Sequence, residues 1–102
     1  MNRGEIWWVE EPELGRRPAC VLTRQEAIAV LRRVTVVPAT RTLRSIPTEV
    51  ELGPEDGMPD RCALSLDNVR TVPKALLTEQ ITSLTAARMR EVCTALDRAL
   101  GC

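Results

Sequence analysis

Histidine, tyrosine and phenylalanine are absent from this chain, and two adjacent tryptophans, Trp7 and Trp8, are its entire aromatic content. Each absence removes a class of function. Without histidine the commonest side-chain acid and base near neutral pH is missing, so any phosphate chemistry falls to arginine, hydroxyl or carboxylate groups. Cys20, Cys62, Cys93 and Cys102 stand far apart with no C-x-x-C pair and no histidine to complete a zinc site, so no metal and no cofactor is expected. They read as free thiols, the first three as small buried apolar residues and Cys102 as exposed at the terminus. So few aromatics argue against the base-stacking sheet surfaces of RNA-recognition and cold-shock domains. Apolar runs are short: none approaches the length that spans a bilayer, and the N-terminus shows no signal-peptide core. The expected compartment is therefore the cytoplasm, with no membrane partner.

What is present is a length of 102 residues, enough for one domain over 1–102, which at this size buries a clear majority of the unfolded chain's surface. The formal net charge is zero, but the charges are segregated. Residues 1–15 hold one arginine against Glu5, Glu10, Glu11 and Glu13. Residues 16–44 hold seven arginines against Glu26 alone, and residues 45–67 hold six acids against Arg61. The basic third between Arg16 and Arg44 has the electrostatics of a nucleic-acid contact surface. An ordinary solvated face in an arginine-rich chain, with Lys74 its sole lysine, would give the same count.

Periodicity and punctuation predict mostly short strands. Glu5 to Glu10 is β-branched and aromatic, starts after Gly4 and stops before Pro12 and Gly15. Ala19 to Thr23 is a continuous apolar run, covered on both faces. Gln25 to Arg33 is read as a connecting helix with Ile28 and Leu31 inward, followed by the strand Val34 to Val37, ended by Pro38. Thr48 to Leu52 alternates Val50 and Leu52 against Glu49 and Glu51, the pattern of one wet face. After the turn-rich segment Gly53 to Pro59, the stretches Arg61 to Leu66 and Asn68 to Val72 read as two strands, and Leu76 to Ile81 as a last one. The period then changes to helical: Thr85 is the N-cap, Gly101 the C-cap, and Met89, Val92, Cys93, Leu96 and Leu100 fall on one stripe. Many strands, one terminal helix and no βαβ rhythm predict a mainly β, α+β fold, a small bent antiparallel barrel.

Two residues in the basic third stand at the ends of predicted strands. Pro18 restricts Arg17 to extended backbone angles, so a planar, bidentate guanidinium projects from a defined point. Thr40 lies just past the strand that Pro38 ends, where its hydroxyl can donate to a ligand oxygen. Each has a plainer reading, Arg17 as a surface arginine at a strand start and Thr40 as a turn threonine satisfying local backbone.

The segments Arg3-Gly4-Glu5-Ile6-Trp7, Arg17-Pro18 with its apolar strand, Pro38-Ala39-Thr40, Ser65 to Val72 and the Met89 to Leu100 helix occur in an order that resembles the MazF/PemK toxins. The resemblance spans essentially the whole chain. It implies an SH3-like barrel of the CcdB/PemK kind, acting as a homodimer and as a sequence-specific, metal-independent endoribonuclease toxin on single-stranded RNA. The implied products carry 2′,3′-cyclic phosphate and 5′-hydroxyl ends, and the implied partner is an acidic, MazE-like cognate antitoxin. The catalytic residues it implies are Arg17 and Thr40, with Arg16, Thr23, Arg41 and Arg44 binding RNA. The sequence departs from the family pattern in a shortened loop ahead of Arg17-Pro18, in which the family glutamate has no clear counterpart, Glu13 lying nearby. Asn68 and Arg41 stand where glutamine and serine are common. Arg70 is assigned to structure or to a dimer contact.

Two other readings are open at this stage. A CcdB-like toxin would share the barrel and poison a topoisomerase through its terminal helix, yet this chain closes on Leu100-Gly101-Cys102 with no aromatic anchor. A peptide-binding SH3 adaptor needs aromatic walls that two tryptophans supply poorly.

Overall fold

The computed structural model describes residues 1–102 as seven antiparallel strands and a long C-terminal helix. The strands are β1 (Glu5–Glu11), β2 (Gly15–Val21), β3 (Arg33–Thr40), β4 (Glu49–Leu52), β5 (Cys62–Ser65), β6 (Arg70–Pro73) and β7 (Leu77–Ser83). A one-turn helix α1 (Gln25–Ile28) joins β2 to β3, and α2 (Ala86–Leu100) closes the chain. Short 3₁₀ turns occupy Pro54–Asp56, Leu66–Asn68 and Lys74–Leu76. The order across the sheet is β4-β5-β3-β2-β1-β7, with β6 also paired to β3, so the expected α+β antiparallel architecture is what forms.

The sheet bends because β3 changes partners along its length. Val34 to Val36 pair with β6, whereas Ala39 and Thr40 pair with β5. Pro38 sits in the interval between those two ladders, where no strand on that edge awaits a backbone N–H. It therefore does not end the strand, contrary to the sequence expectation; β3 runs through it to Thr40, while Pro38 faces Ala19 of β2 on the other edge. The same argument extends β2. The β2–β3 ladder begins at Ala19, so Pro18 lies where the β3 side is open, and the hairpin to β1 continues through Val9↔Arg17 and Glu10↔Arg16 to Glu11↔Gly15. Gly15 takes φ +83° at the end of the connecting turn, a conformation that favours glycine. Arg17 consequently lies within a strand instead of at its start.

Two apolar clusters fill the faces of this bent sheet. One gathers Ile6, Cys20, Val37, Leu52, Leu64 and Leu66 beneath Val92 and Ala95 of α2. The other gathers Val9, Ala19, Val21, Val34, Val36 and Val72 around Ile28. Helix α1 stops at Ile28 because β3 must already be extended at Arg33 to meet Pro73, and Leu31, expected inward, is exposed. The wet face predicted for β4 is half right. Glu51 is exposed, but the Glu49 side chain is 99 % covered, accepting from the Arg44 backbone N–H at 3.1 Å with the Arg44 guanidinium 3.3 Å away.

Helix α2 carries the predicted caps: the Thr85 hydroxyl accepts from the Arg88 N–H at 3.1 Å, and Gly101 adopts φ +71°. Its inward stripe is Met89, Val92, Ala95, Leu96 and Ala99. Cys93 and Leu100 face outward, correcting the burial expected for Cys93, while Cys20 and Cys62 are buried as expected. The helix is tied to the turn after β4 by Arg88, which donates from Nε and Nη2 to the two Asp56 oxygens at 2.9 and 3.1 Å. No helix is long and apolar enough to cross a membrane.

Candidate active site

A cleft of about 390 Å³ opens where β2 begins and β3 ends. Arg16, Arg17 and Pro18 of β2 and Ala39, Thr40, Arg41 and Thr42 around the end of β3 line one part of it. Trp8 of β1, the Met58-Pro59-Asp60 segment and Cys62 of β5 complete it. The two catalytic candidates thus arrive from strands that neighbour each other in the sheet. By alternation Arg17, two residues from buried Ala19, and Thr40, four from buried Val36, share one face of the sheet, while Trp8, Pro18 and Ala39 belong to the other, so the cleft draws its lining from both faces.

Arg17 is exposed and, unlike Arg16 and Arg41, carries no ion pair. Its charge is felt by Glu11, which is already committed to Arg70 through two hydrogen bonds of 2.5 and 2.6 Å. The Arg70 bonds first, then the charges of Arg70 and Arg17, hold the Glu11 carboxyl below its ordinary range against the opposing effect of burial. Glu11 is therefore a fixed anion that Arg70 neutralises, and Arg17 keeps its donors free for a ligand. Thr40 is half-buried, and its oxygen accepts from the Thr42 backbone N–H at 3.1 Å. One lone pair is thereby occupied while the hydroxyl hydrogen stays available, so the side chain faces the cleft as a donor.

The remaining arginines differ in their commitments. Arg16 lies over the Trp8 ring at 4.3 Å and reaches Glu79 at 2.7 Å. Arg41 pairs with Asp60 at 3.3 Å across the rim, both side chains being largely exposed, so the pair is weak and readily exchanged for a ligand anion. Two predicted RNA contacts are not brought to this cleft. Thr23 lies beyond the far end of β2, where its hydroxyl accepts from the Thr35 N–H at 2.7 Å, and Arg44 is engaged with Glu49 beside α2. Six lining residues escaped the sequence reading: Trp8, Thr42, Met58, Pro59, Asp60 and Cys62. Alternation in β1 could have separated Trp8 from Trp7, but nothing local marks Asp60.

The buried thiols do not supply a nucleophile. Burial pushes Cys20 up to about 12, and burial with the nearby Asp56 and Asp60 charges raises Cys62, so both stay protonated near neutral pH. No group of three or more Cys, Asp or Glu side chains is placed to hold a metal ion. The chemistry on offer is anion stabilisation by a free guanidinium and a hydroxyl donor.

Residues 2–100 match the family described as PemK-like, MazF-like toxin of type II toxin-antitoxin system. The chain is 48 % identical over 101 residues to a probable endoribonuclease, MazF5, of Mycobacterium tuberculosis, covering 98 % of this chain and 93 % of that one. Among solved structures it is similar to the Mycobacterium tuberculosis toxin MazF-mt6, with TM-score 0.87 and 31 % identity over 95 % of this chain and 96 % of that one. A mycobacterial endoribonuclease solved in complex with its cognate antitoxin gives TM-score 0.88 and 30 % identity, over 99 % of this chain and 95 % of the other.

Proposed function

The chain belongs to the PemK-like, MazF-like toxins of type II toxin-antitoxin systems, and on that premise we propose that it is an endoribonuclease toxin cutting single-stranded RNA at the Arg17/Thr40 cleft. The observation that carries the site is the convergence of an unpaired guanidinium and a hydroxyl donor on one basic cleft. The RNA 2′-hydroxyl attacks the adjacent phosphorus. The P–O bond to the 5′-oxygen breaks, leaving a 2′,3′-cyclic phosphate and a 5′-hydroxyl. Negative charge gathers on the non-bridging oxygens in the transition state, where Arg17 donates two N–H groups and Thr40 one O–H. A donor of this kind is worth roughly 3–4 kcal/mol. A guanidinium is a poor base because its pKa exceeds about 12. A carboxylate or water therefore takes the 2′-hydroxyl proton, and one is returned to the leaving oxygen. The reaction draws on no metal ion.

A cognate antitoxin with an acidic segment that orders on binding is the fitting inhibitor, since Arg16, Arg17 and Arg41 outnumber Asp60 in the cleft. A homodimer acting in the cytoplasm completes the proposal, in keeping with the family and with its RNA substrate. The topoisomerase-poison reading gains nothing from the comparisons, which run to endoribonucleases.

The test is to incubate purified protein, free of antitoxin, with RNA in excess chelator, to map both ends of each cut, and to repeat with Arg17→Ala. Cyclic phosphate ends, lost in the variant by a factor of about 10²–10³, are expected. Intact RNA in the presence of folded protein would overturn the activity, and undiminished cleavage by Arg17→Ala would overturn the site.

A further inference from the structure

The two tryptophans are neighbours in sequence and opposite in role. Trp7 packs against the Val9 cluster, and its indole N–H donates to the Glu5 carboxylate at 2.9 Å. That carboxylate also receives the Asn2 backbone and side-chain N–H groups, so Trp7 belongs to the anchoring of the N-terminus. Trp8, on the opposite face by alternation, sits across from Pro18, lines the cleft half-buried, and has no hydrogen-bond partner for its N–H. Its ring is covered by the guanidinium of Arg16.

We propose that Trp8 is a nucleobase-stacking position of this cleft, taking the base of a nucleotide next to the cleaved phosphate, with Arg16 as a displaceable cover. This rests on the ribonuclease reading of the same cleft. Three features favour a base as the occupant. First, the ring is half-exposed in a cleft it shares with Arg17 and Thr40, so a nucleotide whose phosphate meets those residues has its base within the same cavity. Second, the cover is lightly held. Arg16 is 44 % exposed, and its carboxylate partners Glu79, at 2.7 Å, and Glu10, at 3.8 Å, are exposed as well. Exposed ion pairs of this kind hold weakly, and RNA phosphate competes for the same guanidinium. Third, Asp60 on the rim repels phosphate but can accept from a base N–H or exocyclic amino group once Arg41 turns to the backbone. The planar guanidinium occupies the place of a planar base. Displaced, it gains a phosphate contact, and the ring gains a larger stacking partner.

The probe is a single-stranded oligonucleotide spanning a mapped cut site, 2′-deoxy at the cleaved position so that it binds without reacting. Its binding is followed both by anisotropy of a terminal label and by tryptophan emission. The wild-type protein should show emission quenched on binding. Trp8→Phe should bind within a few-fold of wild type with the quench abolished, because phenylalanine still stacks but is silent at that wavelength. For cleavable RNA, Trp8→Leu should lower kcat/KM by about 10- to 100-fold, the range expected for one lost stack. One abasic substitution beside the cut should abolish that difference, lowering wild type to the level of Trp8→Leu. Binding without change in Trp8 emission overturns the proposal, as does no binding at all or an equal Trp8→Leu loss on every abasic substrate. If wild-type protein cuts no RNA, the ribonuclease reading fails separately, and the emission arm, run instead on a single-stranded oligonucleotide of mixed sequence, still decides the stack.

Discussion

Replacing Asp56 with alanine tests how the cleft wall is held. Asp56 ends the 3₁₀ turn that leads into Met58-Pro59-Asp60, and its side chain, 10 % exposed, accepts both Arg88 donors and the Gly53 backbone N–H at 3.1 Å. Its own carbonyl accepts from the Thr82 hydroxyl at 3.0 Å, joining turn, β7 and α2. Removing one partner of a well-buried pair costs about 3–5 kcal/mol, because the other charge is left uncompensated. Here Arg88 is 27 % exposed and keeps Glu91 at 3.1 Å, which lowers the expected cost to about 2–3 kcal/mol. For a domain of this size that is a fall in Tm of about 10–20 °C. The pair also predicts a pH signature. The Arg88 hydrogen bonds, ahead of the opposing effect of burial, hold the Asp56 carboxyl below its ordinary range, so the unfolded state binds the proton first as pH falls. The stability is fully present above the unfolded carboxylate pKa of about 4 and is lost as pH drops through the lower folded value. Thermal denaturation from pH 7 to pH 2.5 should therefore show the wild-type and Asp56→Ala curves converging in acid. A Tm change below about 2 °C at pH 7, or a gap that persists undiminished at pH 2.5, would refute the assignment of this pair as the tie between α2 and the cleft wall.

Thr40→Val should lower kcat by about 10²–10³-fold with the fold intact by circular dichroism, and Thr40→Ser should keep most of the activity; equal losses in both would mean that the hydroxyl is not the relevant group. Gly57→Ala should destabilise the protein by more than 1 kcal/mol on the scale of about 0.4–1 for benign sites, since φ is +88° and the new Cβ would meet the Thr82 side chain. Denaturant melts check it, and an unchanged midpoint contradicts the strain. In native protein at pH 8, a thiol reagent should modify exposed Cys93 and Cys102 quickly and Cys20 only on unfolding, counted by mass spectrometry. Rapid native labelling of Cys20 would contradict the packing around it.

Much of this fold can be read along the chain because local chemistry and tertiary outcome agree there. Thr85 and Gly101 cap α2 because orphan backbone groups need partners wherever the helix packs, and β1 forms where β-branched and aromatic residues meet a sheet edge. The misses originate in contacts with elements distant from the residue misread or folded over it. Pro18 and Pro38 look like strand ends, yet each lies where a neighbouring ladder is open, a fact that belongs to the partner strands. Cys93 fits the helical stripe by spacing, but α2 turns Ala95 and Ala99 inward, so the buried face is set by how the helix lies on the sheet. Glu49 alternates like a solvent residue and is covered because the Arg44 segment folds over it.

The site divides along the same line. Sequence alone determined that a chain without histidine has only arginine, hydroxyl or carboxylate groups for phosphate chemistry, and its basic third put the Arg17-Pro18 and Thr40 segments forward as candidates. Spacing along the chain carries charge, propensity and period, which are local properties. Tertiary structure decided which cations are free. Glu11 goes to Arg70 and leaves Arg17 unpaired, Glu49 takes Arg44 away from the cleft, and Thr35 uses the hydroxyl of Thr23. It also set Trp8 beside Arg17 and Thr40. The Glu11–Arg70 pair and the cleft itself depend on distances between strands remote in sequence, set by how β1, β2 and β3 lie against β5 and β6.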